Sequence, residues 1–259
     1  MKYGICPLSV VPIRAESSSK SEQLTQLLFG EMFTILDEVE DSTWWYIKIK
    51  HDEHQGWVEG QRVRHIDSVT FNNVNIVFAA DMMGYTIEKE SGKRFLIPAC
   101  CVFQNYNKGL FQLGDRTFEY HGTVISGKKV ITKQNIEPFL KAYMQSPYLW
   151  GGRHPFGIDC SGLTQNIMRL CGLSLPRDAI QQAEHGTTVD SVTEVQYGDL
   201  AFFSDADETI NHVGIVTENN QLVHAVECVK VSRLDQKGIF DLEKQEYTHQ
   251  LRIIKRLRI

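Results

Sequence analysis

The chain has 259 residues, enough for two domains or for one with small additions, and its 42% hydrophobic and 23% charged content is ordinary for a soluble globular protein. A formal net charge of −5 argues against nucleic-acid binding, which would need a basic patch. No apolar run approaches the length of a membrane span, and Met1-Lys2-Tyr3-Gly4-Ile5-Cys6 lacks the apolar core of a secretory signal.

The expectation is therefore a cytoplasmic, monomeric protein with no nucleic-acid or membrane partner; a signal preceding this chain stays open. The six cysteines (Cys6, Cys100, Cys101, Cys160, Cys171 and Cys228) show no metal-ligand spacing, so no metal or other cofactor is expected. Free thiols in a reducing compartment account for them. Cys100 and Cys101, if they lie in a strand, face opposite sides of it.

From about Leu8 to Ile66 the pattern is one of short strands and turns: Leu24–Phe29 into Gly30-Glu31, Met32–Val39, Trp44–Lys50, and Gly56-Trp57-Val58. Strands of this length and spacing suggest a small β-barrel over residues 1–67. Residues 68–128 are again β-rich, with strands at Val74–Ala79, Arg94–Pro98, Gly109–Leu113 and Arg116–Gly122 and a turn over Asn105–Gly109. This stretch reads either as a second, divergent barrel or as a continuation of the first.

Residues 129–259 change character. Asn135 can cap a helix carrying Ile136, Phe139, Leu140 and Tyr143 on one face. After Asp159, apolar residues fall at Leu163, Ile167, Leu170 and Cys171, the spacing of one helix face, with Gly172 as the stop. Asp178–Gly186 is helical, and strands follow at Leu200–Ser204, His212–Val216, Leu222–Val226 and Leu251–Arg256. Helices first and an antiparallel sheet afterwards make an α+β domain. The basic cluster Arg252, Lys255, Arg256 and Arg258 reads as strand-end solvation.

Cys160 begins the second of these helices. Unpaired N–H groups and the positive end of the dipole there favour thiolate and could hold an oxyanion. A buried, inert cysteine is the competing reading, and a histidine decides between them. Two qualify. His212 and His224 lie in strand-like segments joined by Thr217–Gln221, a link that makes a β-hairpin. If Val216 faces Asn220, His212 faces His224 directly; a shift by two leaves them diagonal neighbours on one face. His212 then suits a base and His224 its orienting group. His51, His54, His65, His154 and His185 fall in loops or polar surroundings.

Six ordered blocks now stand together: Tyr148–Gly152 (YLWGG), Gly157–Leu163 (GIDCSGL), Leu175–Ala179 (LPRDA), Gly198–Phe203 (GDLAFF), Asn211–Val216 (NHVGIV) and Leu222–Ala225 (LVHA). They closely resemble the NlpC-type cysteine peptidases. The N-terminal region resembles bacterial SH3-like domains, through SEQLTQLLFGE, WWYIKI and HQGWVE. The resemblance implies a papain-like α+β catalytic domain with Cys160 as nucleophile, His212 as general base and His224 as third member. It also implies Tyr148 as oxyanion partner, with Asp159 and Ser161 beside the nucleophile.

The Arg177-Asp178 pair after the nucleophile helix, the SH3-like region and the absence of a signal resemble a narrower subgroup, the γ-D-glutamyl-L-diamino-acid endopeptidases that recycle wall peptides. That subgroup releases L-Ala-γ-D-Glu from peptides with a free N-terminal L-Ala. It implies that Asp178, with Arg177 before it, binds the substrate's α-ammonium, since a buried ammonium demands a carboxylate. From the first domain it implies an acidic residue, here Glu22, and an aromatic. A tyrosine is usual before the Gly-Trp pair; here His54 stands two residues before Gly56. Other readings are an exported hydrolase of intact peptidoglycan with the SH3-like domains as wall anchors, a wall-binding module with an inactive peptidase domain, and an acyltransferase acting on lipids.

Overall fold

Short antiparallel strands build the first part of the chain almost entirely. The computed structural model describes residues 1–38, 43–127, 131–205 and 208–257, and the chain divides into two units, Met1–Gly127 and Lys128–Ile259. Val39, the expected domain boundary at 128/129 and Arg258 lie outside the described residues.

The first unit opens with β1 (Lys2–Ile5), β2 (Val10–Arg14), β3 (Gln23–Leu28), β4 (Met32–Glu38), β5 (Trp44–Ile49), β6 (Gln55–Glu59) and β7 (Arg64–Ile66). These pair in the order β3-β2-β6-β5-β4-β1-β7. Inward residues such as Ile13, Leu27, Phe33, Ile47, Ile49 and Val58 form its core. A single turn, α1 (Ser68–Phe71), capped by the Asp67 side chain, leads to β8 (Ile76–Ala79), β9 (Met83–Glu88), β10 (Arg94–Pro98), β11 (Val102–Asn107), β12 (Leu110–Leu113), β13 (Arg116–His121) and β14 (Val124–Ile125). Their order, β10-β9-β13-β12-β11-β8-β14, repeats that of the first sheet strand for strand.

Two local expectations change. The turn expected over Asn105–Gly109 narrows to Lys108-Gly109, both left-handed, and β11 runs on to Asn107 with an irregularity that places Asn105 at φ 52°. Cys100 and Cys101 lie in the turn ahead of β11 rather than in a strand, and both are buried. The two sheets share an aromatic core. Phe29, from the turn after β3, has its ring 6.2, 6.0 and 5.6 Å from Phe95, Phe111 and Phe118. Gly30 follows at φ +80°, and a Cβ there would meet the Val102 carbonyl oxygen at 1.9 Å. Only glycine permits that approach.

The second unit places α2 (Lys133–Tyr143), β15 (Arg153–His154), β16 (Gly157–Ile158), α3 (Cys160–Leu170) and α4 (Ala179–Gln182) ahead of its main sheet. That sheet comprises β17 (Thr187–Val189), β18 (Leu200–Ser204), β19 (Ile210–Val216), β20 (Gln221–Ala225), β21 (Val229–Leu234), β22 (Gly238–Asp241) and β23 (Glu246–Arg256). The order is β17-β23-β18-β19-β20-β21-β22, and β22 also pairs with β23, closing six strands into a small barrel. The N-cap of α2 is Thr132, not Asn135, which sits within the first helical turns.

Helix α3 is buried along its whole length. The apolar face expected of it is present, and its polar residues are internal and bonded. Thr164 Oγ1 donates to Gln182 Oε1 (2.7 Å), Gln165 Nε2 to the Leu175 carbonyl (3.0 Å) and Asn166 Nδ2 to the Arg153 carbonyl (2.8 Å). Buried polar groups persist on such terms. The basic C-terminal cluster is likewise tied down: Arg256 pairs with Asp199, and Arg252 donates to Ser204. Among the described residues no helix is long and apolar enough to cross a membrane.

Candidate active site

Cys160 is the first residue of α3 and only 6% exposed. What holds it there begins with Asp159, the N-cap, whose Oδ1 accepts from the Gly162 N–H (2.7 Å) and whose Oδ2 accepts from the Gly151 N–H (2.8 Å). Arg177 Nη2 closes an ion pair with Asp159, and Arg177 Nη1 donates to Ser161 Oγ at 2.7 Å. Gln182 Nε2 donates to the Ser161 carbonyl at 3.0 Å. A Cβ on Gly162 would meet the Gly152 carbonyl oxygen at 2.5 Å. The glycines of YLWGG and CSG are thus two sides of one close contact.

These bonds correct one expectation. Arg177 is 2% exposed and turned inward onto Asp159 and Ser161, so it braces the nucleophile loop instead of binding substrate. Asp159 and Ser161, 5% and 7% exposed, flank Cys160, which is 6% exposed, and are bonded to each other and to Arg177. Asp178 is the half-buried N-cap of α4, and its side chain makes no capping bond; α4 packs on β19.

The hairpin places the histidines. Ile215 pairs with Val223 and Val216 with Leu222, an offset two residues from the one that sets His212 opposite His224. The connection is a 3₁₀ turn, Glu218–Asn220, with Asn219 and Asn220 left-handed, and it takes up the extra residues. Same-face parity survives such a shift. His212 Nε2 lies 2.8 Å from His224 Nδ1, and His224 Nε2 lies 2.9 Å from the buried Ser232 Oγ. With His212 protonated on Nε2, donors run His212 to His224 to Ser232, and His212 Nδ1 keeps its lone pair.

Cys160 and His212 come together through β19. Backbone hydrogen bonds from Val213 and Ser161 engage the Cys160 sulfur. Those bonds favour thiolate, but burial and the Asp159 carboxylate outweigh them and push the thiol up to about 12. A helix terminus contributes only ~0.3–1 kcal/mol, which is small against the burial that favours the neutral thiol. Burial likewise holds His212 well below the usual imidazole range and His224 down to about 3. Both groups are held uncharged, Cys160 as a thiol and His212 as a neutral imidazole.

A cavity of about 430 Å³ opens over the histidines, with Tyr148, Trp150, His212, His224, Lys230 and His249 in its wall. Burial and the neighbouring Cys160 push the Tyr148 phenol up to about 12, so it stays a hydrogen-bond donor. Ser232 and His249 escaped the sequence reading, because the strands that carry them, β21 and β23, showed no recognisable motif. Among the described residues no cluster of three or more His, Cys, Asp or Glu could hold a metal ion.

Glu22 and His54 belong to the first unit. Glu22 is exposed just before β3. Its neighbour Gln23 pairs with Arg14, Arg14 with Trp57 and Trp57 with Tyr46. The aromatics in that row are Trp57 and Tyr46, whose rings lie 5.1 Å apart. His54 stands outside the row, in the turn between β5 and β6.

Residues 145–250 match the NlpC/P60 family, and residues 9–64 match the bacterial SH3 domain. The second unit carries an NlpC/P60 domain. This α+β cysteine peptidase fold follows an SH3-like β-domain in the chain, as the ordered blocks implied. The chain is 29% identical over 214 residues to a γ-D-glutamyl-L-lysine dipeptidyl-peptidase of Bacillus subtilis, a match spanning 78% of this chain and 71% of that one. It is 25% identical over 230 residues to the enzyme so named from Bacillus cereus, spanning 78% of this chain and 66% of that relative. In fold it matches the crystal structure of an NlpC/P60 family protein from Bacillus cereus with a TM-score of 0.83. That match has 17% identity and covers 99% of this chain and 100% of the other.

Proposed function

We propose that this NlpC/P60 protein is a cytoplasmic dipeptidyl-peptidase of murein peptide recycling. It hydrolyses the bond between γ-D-Glu and an L-diamino acid in wall-derived peptides with a free N-terminal L-Ala, and releases L-Ala-γ-D-Glu. The observation that carries this reading is Cys160 packed against the strand of His212, with His212 bonded to His224, in a chain whose relatives are γ-D-glutamyl-L-lysine dipeptidyl-peptidases.

In this reading Cys160 is the nucleophile and His212 Nδ1 the base. The thiol proton passes to His212 as sulfur adds to the amide carbonyl, so charge separates only as the C–S bond forms. The Cys160 N–H and the Tyr148 hydroxyl receive the developing oxyanion. Collapse breaks the C–N bond while His212 returns the proton to the leaving amine. Water, deprotonated by His212, then hydrolyses the thioester and restores the thiol. His224 holds His212 in the tautomer this requires. Asp178 is assigned to the substrate's α-ammonium, on the resemblance.

The test offers the protein L-Ala-γ-D-Glu-L-Lys, its N-acetylated form and intact sacculi, beside Cys160→Ala, with products followed by mass spectrometry. Release of L-Ala-γ-D-Glu from the free tripeptide alone is expected, and none from the variant. Digestion of the blocked peptide or of sacculi would make the protein a wall hydrolase and would remove the role given to Asp178. The same assay on Glu22→Gln asks whether the first unit contributes a carboxylate.

A further inference from the structure

His212 is restrained in two perpendicular directions, and the proposed mechanism uses only one of them. The bond to His224 meets the ring at its edge, with the two imidazole planes at 81° and their centroids 5.1 Å apart. One in-plane hydrogen bond fixes an atom and leaves the ring free to rock about it. The face of His212 is covered by a third imidazole, His249, at 4.5 Å between centroids and 25° between planes. Such stacking resists the rocking that the hydrogen bond permits. Phe203, tilted 46° at 6.1 Å, is too distant to replace it.

The fold brings His249 there from far along the chain. β18 lies between β19 and β23, and a register irregularity between Phe202 and Phe203 shifts β23 against β18. His249 pairs with Ile239 of β22 and has its Nδ1 2.9 Å from Thr248 Oγ1. It is half-buried and shares the cavity wall with His212.

We propose that His249 is the positioning residue for His212: as a neutral ring it holds the plane of the general base toward Cys160, and on protonation it switches that base off. This rests on His212 being the base. A neutral imidazole face accepts a cation stacked on it, so it suits the imidazolium that forms during turnover. A protonated one repels that cation. The charged groups facing His249 are Asp205, after β18, and Lys244, ahead of β23; the titratable ones are His212 and His224. β22 sets Ile239 and Gly238 against it and carries Asp241, paired with Lys230, in the same cavity wall. Asp205 favours the charged form of His249, while burial and Lys244 oppose it.

The experiment compares His249→Phe, which keeps a stacked ring without a charge, with His249→Ala, on the full chain and the free tripeptide. His249→Ala is expected to lower kcat by about tenfold with KM little changed, the cost of a misaimed base. His249→Phe is expected to retain kcat at neutral pH, and the acid limb of kcat/KM moves to lower pH because the protonation that switches the base off is gone. An unchanged kcat in His249→Ala overturns the proposal, as does a His249→Phe that loses as much with its acid limb unmoved. If the wild type cleaves none of the peptides, the substrate reading falls, and NMR titration of the His212 ring in wild type and His249→Phe decides the coupling. A raised His212 pKa in the variant supports it and an equal one overturns it.

Discussion

Cys160 stands between two buried polar clusters that treat charge in opposite ways. On the α3 side, a carboxylate and a guanidinium are both retained, and the chain surrounds Asp159 with two backbone N–H donors, Arg177 and the Ser161 hydroxyl. On the barrel side, His212 and His224 are held neutral by burial. The first arrangement fixes a backbone and has no reason to change state. The second keeps a proton acceptor uncharged until a proton arrives from the thiol. Stability resides in the paired charges, and reactivity in the uncharged ones.

The sharpest way to break this division is to remove the base. His212→Ala is expected to cost ~10²–10⁴-fold in kcat/KM, with the thermal midpoint close to that of the wild type. Measured by tripeptide turnover and calorimetry, a large loss of stability with it would show the histidine side to be structural too. Arg177→Met attacks the other side. It strands the Asp159 carboxylate and is expected to cost about 3–5 kcal/mol in urea unfolding, while Asp159→Asn with Arg177→Met recovers part of that loss. If Arg177→Met instead unfolds like the wild type, the ion pair is not what holds the nucleophile loop.

Acid sharpens the comparison without mutation. His212 and His224 have folded pKa values below the ordinary imidazole value, so the unfolded chain takes up protons that the native chain refuses. Their contribution is complete above about pH 6.5 and is lost as pH falls toward the folded values, near 3 for His224, at ~1.4 kcal/mol per pH unit for each histidine. Urea midpoints between pH 7 and 5 are expected to fall, and His224→Gln to fall less steeply. For the thiol, raised by burial, the iodoacetamide reaction of Cys160 is expected to quicken steadily from pH 6 to 9; a plateau from pH 6 would mean a preformed thiolate. The smallest effect is that of Ser232→Ala. It removes the end of the histidine chain and is expected to cost about 1 kcal/mol in stability with only a few-fold loss of turnover.

Much of this site could be read before folding because its signals are local. Asp159 and Gly172 bracket α3 at the places where caps belong, and strand parity alone put His212 and His224 on one face. What escaped reading depended on contacts distant in the chain. A basic residue beside Asp178 looks like a ligand for substrate until the fold turns Arg177 inward. The hairpin offset depended on two left-handed asparagines that resemble any polar turn. His249 became a neighbour of His212 only through the strand between them. In the first unit, β9 is hidden in the sequence because its inward positions are Gly84, Thr86 and Glu88 rather than apolar residues, and Asn105 lies at the irregularity of β11.

The Phe29 side chain has a consequence for modularity. It is encoded in the first sheet and spent in the core of the second, with Gly30 pressed against Val102 beside it. The two sheets, alike in strand order, are therefore not separable from one another. Neither is a cassette to be deleted or transplanted alone, because excision would leave one half with an exposed aromatic and the other with a hole of the same shape.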